Sequence, residues 1–178
     1  MRKVVVYELM SLDGVAEEPN SFITDWDSAM DANLAAVTER QDAVILGRRS
    51  YDEWARFWPE SDIQPFSTFI NSVKKYVATS TAIDLDWANT TAIDEELVDF
   101  VRDLKSQPGD EIGVHASISV AQSLLRANLV DELHLVIAPR IAGAGRKLLD
   151  GLPPIDLTLI QSSISSTGYL LLTYGVTR

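Results

Sequence analysis

The sequence predicts an α/β layer fold with a mixed, mostly parallel central sheet and an antiparallel C-terminal hairpin. Three observations predict it. Short apolar runs recur along the 178 residues, each bounded by turn residues. Stretches with helical spacing separate most of them. The last two apolar runs follow each other with no helix between. A parallel neighbour has to be reached by a crossover, usually a helix, whereas a closing hairpin pairs antiparallel. There is no interdomain linker, internal repeat or low-complexity tract, so residues 1–178 read as one domain, long enough to bury a core.

The elements follow in order. Residues 3–10 (KVVVYELM) form a buried first strand, and SLDG at 11–14 is a turn signal. Residues 15–27 lack a clean period and read as a loop. Residues 28–40 are helical, with Leu34 and Val37 on one face. DAVILG at 42–47 is a continuous apolar run, the pattern of a strand covered on both faces. A helix begins near Ser50, followed by an aromatic, proline-bearing loop (FWPESDIQP) and a helical turn over 65–72. KKYVATS at 74–80 is a strand that runs into small hydroxyl residues. Residues 94–105 form an amphipathic helix with acids in its first turn, where the helix dipole favours them. EIGVHAS at 111–117 is a strand leading into a helix over 117–127. DELHLVIAPRIAGAG at 131–145 is a strand ending in Pro and two Gly. Residues 155–162 and 167–176 close the chain as an antiparallel pair.

Composition narrows the function. The net charge of -11 opposes binding to nucleic acid or to an anionic membrane surface. Cysteine is absent, which removes disulfides, thiolate metal sites and thiol nucleophiles. The apolar part of MRKVVVYELM is short and interrupted by Glu8, unlike a signal peptide, and no run approaches the ~18–20 apolar residues of a membrane span. The expectation is a soluble, cytoplasmic protein. No metal is expected, since H-E-x-x-H and metal-spaced carboxylates are missing.

In open α/β sheets ligands bind beyond the carboxyl ends of the strands. Four such ends carry unusual residues: GRRS (47–50), ATST (78–81), HAS (115–117) and GAGRK (143–147). They offer small residues, hydroxyls and cations beside helix starts, whose free N–H groups bind phosphate. Glycine admits close approach, and Arg grips phosphate through two parallel bonds. For Arg48 and Arg49 the plain alternative is a solvated surface pair, and for GAGRK a flexible turn. GAGRKLL lacks the third glycine of G-x-G-x-x-G, and no G-x-x-x-x-G-K-[ST] exists, which excludes a standard Rossmann site and a P-loop. Of two histidines, His134 alternates with Leu133 and Leu135 as a strand-face residue, while His115 stands at a ligand-facing strand end. An anion cradle with few acid–base groups suits cofactor chemistry, in which positioning dominates.

The ordered set SLDG (11–14), LGRRSY (46–51), FWP (57–59), FINSVKKYVATST (69–81) and LLRANLVDELHLVIAPRIAGAGRKLL (124–149) resembles the dihydrofolate reductase-like superfamily. Within it, the chain is most similar to the bacterial group related to the C-terminal reductase domain of the bifunctional riboflavin-biosynthesis deaminase/reductase. The resemblance covers nearly the whole chain. It implies a three-layer fold and NADPH as cofactor. It implies that Gly47, Arg48, Arg49 and Ser50 open the helix over the dinucleotide, with one arginine on the 2′-phosphate. It places Thr79 and Ser80 at the adenosine-phosphate end, and Ala116 and Ser117 at the pyrophosphate turn, with His115 just before them as a further cofactor-binding candidate. Gly143, Gly145 and Arg146 lie near the same cleft. Two departures stand out: Ala116-Ser117 replaces the group's frequent Gly-Ser or Gly-Gly, and Arg140 replaces an apolar residue after Pro139.

The resemblance also implies a proton donor, because imine reduction needs a proton as well as a hydride. Asp31 lies sixteen residues before Gly47, the spacing of the acid in dihydrofolate reductases, with Asp25 and Asp27 close by. Asp13 is a second candidate, or an Asp that stabilises its Gly turn. Trp26 and Trp58, with Trp54 and Phe57, can wall a flat heterocycle or belong to the core. Arg140 can meet an acidic group of the substrate. The expected activity is NADPH-dependent reduction of a pterin or a ribosylamino-pyrimidine. The competing reading is a non-catalytic NADPH-binding protein that kept the fold. Homodimers are common in the group, and the apolar stretch 169–174 can supply the contact.

Overall fold

A computed structural model describes residues 1–177. Its elements are β1 (Val4–Met10), α1 (Ser28–Thr38), β2 (Gln41–Gly47), α2 (Arg48–Phe57), α3 (Phe66–Ser72), β3 (Lys74–Ala78), β4 (Thr90–Ile93), α4 (Leu97–Ser106), β5 (Glu111–His115), α5 (Ile118–Arg126), β6 (Glu132–Ile137), β7 (Leu157–Ile164) and β8 (Leu170–Val176). They build one eight-stranded sheet in the order β4-β3-β2-β5-β1-β6-β8-β7. The strands from β4 to β6 run parallel, and β8 is antiparallel to both β6 and β7.

Alternation along the strands sorts side chains to two faces. On one face Val4, Val6, Ile45, Ile112 and Val114 pack against Val101 and Leu104 of α4 and Ala121 and Leu124 of α5. On the other, Val5 and Tyr7 meet Met30 and Val37 of α1, while Val44 and Leu46 meet Tyr51 of α2 and Ile70 of α3. The result is three layers, helices on both faces of a mostly parallel sheet with an antiparallel C-terminal pair. The α/β class and topology read from the sequence are those of the structure.

The differences have local reasons. Helix α2 starts at Arg48, directly after β2, because Gly47 turns the chain in extended conformation (ψ 159°) without a side-chain cap. Helix α4 starts at Leu97 rather than at 94. The sequence reading missed β4. It is a four-residue edge strand with only Ile93 fully buried, so it carries no apolar run. Strand β7 is exposed along its whole length, whereas Tyr169 and Leu171 of the expected contact stretch are buried core.

Candidate functional site

The sheet topology fixes where a ligand can enter. The chain leaves β2 outward, toward β3, and leaves β5 in the opposite direction, crossing β1 to β6. Helix α2 therefore lies on the α1 and α3 face and α5 on the other. The crevice between the carboxyl ends of β2 and β5 is a topological switch point, the usual ligand position in such sheets.

Two helix N-termini meet there through hydroxyl groups. Gly47 N–H donates to Ser117 Oγ at 2.9 Å. Ser117 Oγ donates to Ser50 Oγ at 3.1 Å, and Ser50 Oγ donates to the Ala116 carbonyl at 2.5 Å. No side chain caps the first turn of α2 or α5. Their leading N–H groups and the positive ends of both dipoles converge on one spot, which suits an anion. Ala116 sits in the left-handed region, φ 51°. That costs an L-residue roughly 1–2 kcal/mol, which explains the appeal of glycine at this turn.

The arginines divide the work. All three guanidinium nitrogens of Arg48 have partners: Nε donates to Asp52 at 2.9 Å, Nη1 to Thr81 Oγ1 at 2.8 Å and the Ala82 carbonyl at 2.6 Å, and Nη2 to Asp84 at 3.3 Å. Nη1 also reaches Thr79 Oγ1, itself bonded to the Thr81 carbonyl. Arg48 thus braces the 79–84 loop against α2, with Ser80 exposed beside it. Arg49 pairs with Glu53 and Glu17, each at 3.1 Å, yet its side chain stays 63% exposed. Arg146 reaches over α5 from the other side, donating to Ser119 Oγ at 2.8 Å.

The SLDG turn and the 142–147 loop form one unit. Asp13 accepts from Ser11 Oγ, Ala142 N–H and Gly143 N–H, and these bonds hold its carboxyl well below the usual range. Val15 pairs antiparallel with Lys147. At Gly145, φ 124°, an added Cβ would fall 2.6 Å from Val15 Cγ1, so only glycine fits. Asp13 is therefore an ionised loop anchor in this structure.

A second cluster lies on the α1 face. Trp26 Nε1 donates to Asp31 Oδ1 at 2.7 Å, and both residues are exposed. The neighbouring acids separate by their bonds. Asp27 caps α1 and ties in Ser166 and Thr167, and Asp25 meets Thr24. Tyr7 is buried beneath this corner with a hydroxyl that has no partner among the described residues. Burial, and then the charge of Asp31, push its phenol upward. Trp58 packs on Phe66 and its own Nε1 is unpaired among the described residues. Arg140, past the end of β6, is exposed and its guanidinium makes no bond or ion pair among the described residues.

His115 is not brought to the crevice. Its ring is buried among Tyr7, Phe66 and Phe69 and bonds Gln41 Oε1 at 2.8 Å. Burial lowers it to about 3, so it stays neutral. The strand end turns its backbone toward the ligand side and its side chain away.

Sequence reasoning missed Glu8, Glu17 and Tyr7. Glu8 carried a signal, a lone acid inside an apolar strand. Its carboxyl is buried, and burial pushes it up to about 8 against the pull of the Ser117 N–H, 3.1 Å away. Glu17 carried none, lying in an aperiodic loop. Among the described residues no group of three His, Asp or Glu can hold a metal, and no helix is long and apolar enough to cross a membrane.

Known proteins match this arrangement. The RibD C-terminal domain family matches residues 2–171. The uncharacterized protein YyaP of Bacillus subtilis is 27% identical over 180 residues, covering 97% of this chain and 94% of its own. A candidate riboflavin biosynthesis protein from Shewanella sp. PV-4 superposes with a TM-score of 0.81 at 20% identity over 99% of both chains. The diaminohydroxyphosphoribosylaminopyrimidine deaminase/5-amino-6-(5-phosphoribosylamino)uracil reductase of Thermotoga maritima gives a TM-score of 0.70 at 14% identity, over 99% of this chain and 57% of that one. With a family match across residues 2–171 on the fold and crevice described, the chain belongs to the RibD C-terminal domain family.

Proposed function

We propose that the protein is an NADPH-dependent reductase, a single domain that delivers a hydride to a pterin or to a ribosylamino-pyrimidine. The observation that carries this reading is the junction of α2 and α5 at Ser117, two uncapped helix N-termini facing one crevice at the switch point. It fits a diphosphate, and the family match supports a reductase. The described residues suit NADPH: Gly47, Ser50, Ala116 and Ser117 would hold the diphosphate, and Thr79 and Ser80 the adenosine side. Arg49, with one open guanidinium edge, would take the 2′-phosphate, while Arg48 shapes the loop. Gly143, Gly145 and Arg146 would cover the crevice. When bound, NADPH supplies the hydride.

The chain's own residues do the rest. Asp31, held by Trp26 Nε1, would be the acid that passes a proton to the imine nitrogen as the hydride arrives at carbon. Trp58 and Trp26 would offer an aromatic wall. Arg140 is free to meet a carboxylate or phosphate of the substrate, as a phosphoribosyl group would require. Arg49 would meet the phosphate with Glu17 and Glu53 still beside it, so these carboxylates temper affinity.

We propose a cytoplasmic homodimer, joined through β7, where Leu157, Leu159, Ile160 and Ile164 are 40–72% exposed. The alternative, a non-catalytic NADPH-binding protein, draws on one observation: Asp13 is committed to the 142–143 backbone, which leaves Asp31 as the acid. The loss of reduced-nicotinamide absorbance with dihydrofolate or a ribosylamino-pyrimidine tests the two. Turnover supports the reductase, and tight NADPH binding without turnover of either class supports the alternative.

A further inference from the structure

We propose that Glu8 is a positioning residue of the phosphate cradle, and that a dinucleotide diphosphate binds with its carboxyl protonated, so that at alkaline pH binding draws a proton from solvent onto it. This rests on the NADPH reading above.

The geometry is specific. Glu8 follows Tyr7 on β1 and therefore points to the opposite face, toward α5. The residue is 3% exposed, and the one hydrogen bond to its carboxyl among the described residues is from Ser117 N–H at 3.1 Å. Ser117 is the N-cap of α5, and its hydroxyl holds Gly47 and Ser50. Glu8 thus fixes, from beneath, the residue that joins the two helix N-termini. An anion bound above Ser117 would share that small region with the Glu8 carboxyl. Two negative charges in so dry a place repel strongly, and the carboxyl, already pushed up by burial, resolves the conflict by accepting a proton.

No other ionisable group relieves Glu8. On its own face, β6 presents Leu135 in register with it. The His115 side chain of β5 packs with Tyr7 on the far face. The charged residue of α5 is Arg126, at the helix's other end. Glu17, Arg146 and Lys147 belong to the outer segments, and Arg49 to the rim of α2. The Glu8 shift arises from burial and the Ser117 N–H alone.

The sign follows. At pH 7 Glu8 is protonated and the cradle accepts the anion without cost. Above pH 8 the free protein carries an ionised Glu8, and binding must take up a proton, weakening affinity by up to about tenfold per pH unit. The test is calorimetric titration of the full chain with NADPH at pH 7 and pH 9, in two buffers of different ionisation heat, beside Glu8→Gln. The expected result is weaker wild-type binding at pH 9 with uptake of up to one proton. Glu8→Gln, which keeps the acceptor for Ser117 N–H, binds equally at both pH values with no uptake at Glu8. Wild-type binding that is flat from pH 7 to 9, or an unchanged pH dependence in Glu8→Gln, overturns the proposal while leaving NADPH in place. Absence of NADPH binding at both pH values overturns the cofactor reading and this proposal with it. If Glu8→Gln does not fold, the wild-type affinity ratio and its proton uptake still decide.

Discussion

Ser117 Oγ lies 2.9 Å from the Gly47 nitrogen and ties the first turn of α5 to the first turn of α2. One hydroxyl thus sets the relative position of two helix N-termini that come from strands connected in opposite directions. Ser117→Ala leaves the Gly47 N–H without its acceptor and frees Ser50. The expected loss in NADPH affinity is about tenfold, the worth of a buried hydrogen bond of ~1–1.5 kcal/mol, with a smaller loss of stability. Fluorescence titration and thermal melts measure both.

The two arginines are expected to fail differently. Arg49→Ala removes a charge-assisted phosphate contact of roughly 1.5–3 kcal/mol, so NADPH weakens tenfold to a hundredfold while NADH changes little. Arg48→Ala releases the 79–84 loop from α2, which weakens both cofactors and lowers the melting temperature. Equal losses for both cofactors in Arg49→Ala would remove Arg49 from the 2′-phosphate.

Asp31→Asn keeps the Trp26 contact as an acceptor but cannot supply a proton. Turnover of an imine-type substrate is expected to drop by 10²–10⁴, with NADPH affinity unchanged. Steady-state kinetics together with a binding titration separate the two effects, and unaltered turnover would take Asp31 out of the mechanism.

Glu8 also predicts a pH dependence of folding. Its carboxyl is raised in the folded chain from 4.5 to about 8. Between these values the folded state binds more protons than the unfolded state. Its contribution to stability is thus complete below pH 4.5 and is lost as pH rises through about 8. Glu8→Gln removes the ionising group and is expected to be more stable than wild type at pH 9 by ~1–3 kcal/mol. Denaturant midpoints at pH 6 and pH 9 check it; a difference that does not grow with pH contradicts the assignment.

On β7, Leu159→Lys with Ile160→Lys is expected to turn a dimer into a monomer without loss of fold, since both side chains are more than half exposed. Light scattering after size-exclusion chromatography reads the change.

Much of this was legible in the sequence, where the physics is local. The run at 43–46 is a strand because a strand covered on both faces is apolar nearly throughout, and 132–137 is one despite its buried Glu132 and His134, because Leu133, Leu135 and Val136 supply the core contacts. Gly47, Ser50, Ala116 and Ser117 come together because strand ends in parallel sheets share one edge. Strand β4 was hidden because an edge strand can be short and polar. The His115 side chain was misread because alternation along β5, and not its place at a strand end, decides the face it takes. Separating Arg48 from Arg49 needed the 79–84 loop, a contact 31–36 residues away in sequence. Glu8 looked like an interruption of an apolar run until the start of α5 was found above it.

A phosphate cradle at the junction of α2 and α5 that selects NADPH underlies the predictions on cofactor binding. Titration with NADPH and with NADH, followed by tryptophan fluorescence, tests it most directly. Micromolar binding of NADPH and much weaker binding of NADH are the expected result. Absence of binding by both, or equal affinity for the two, would contradict it.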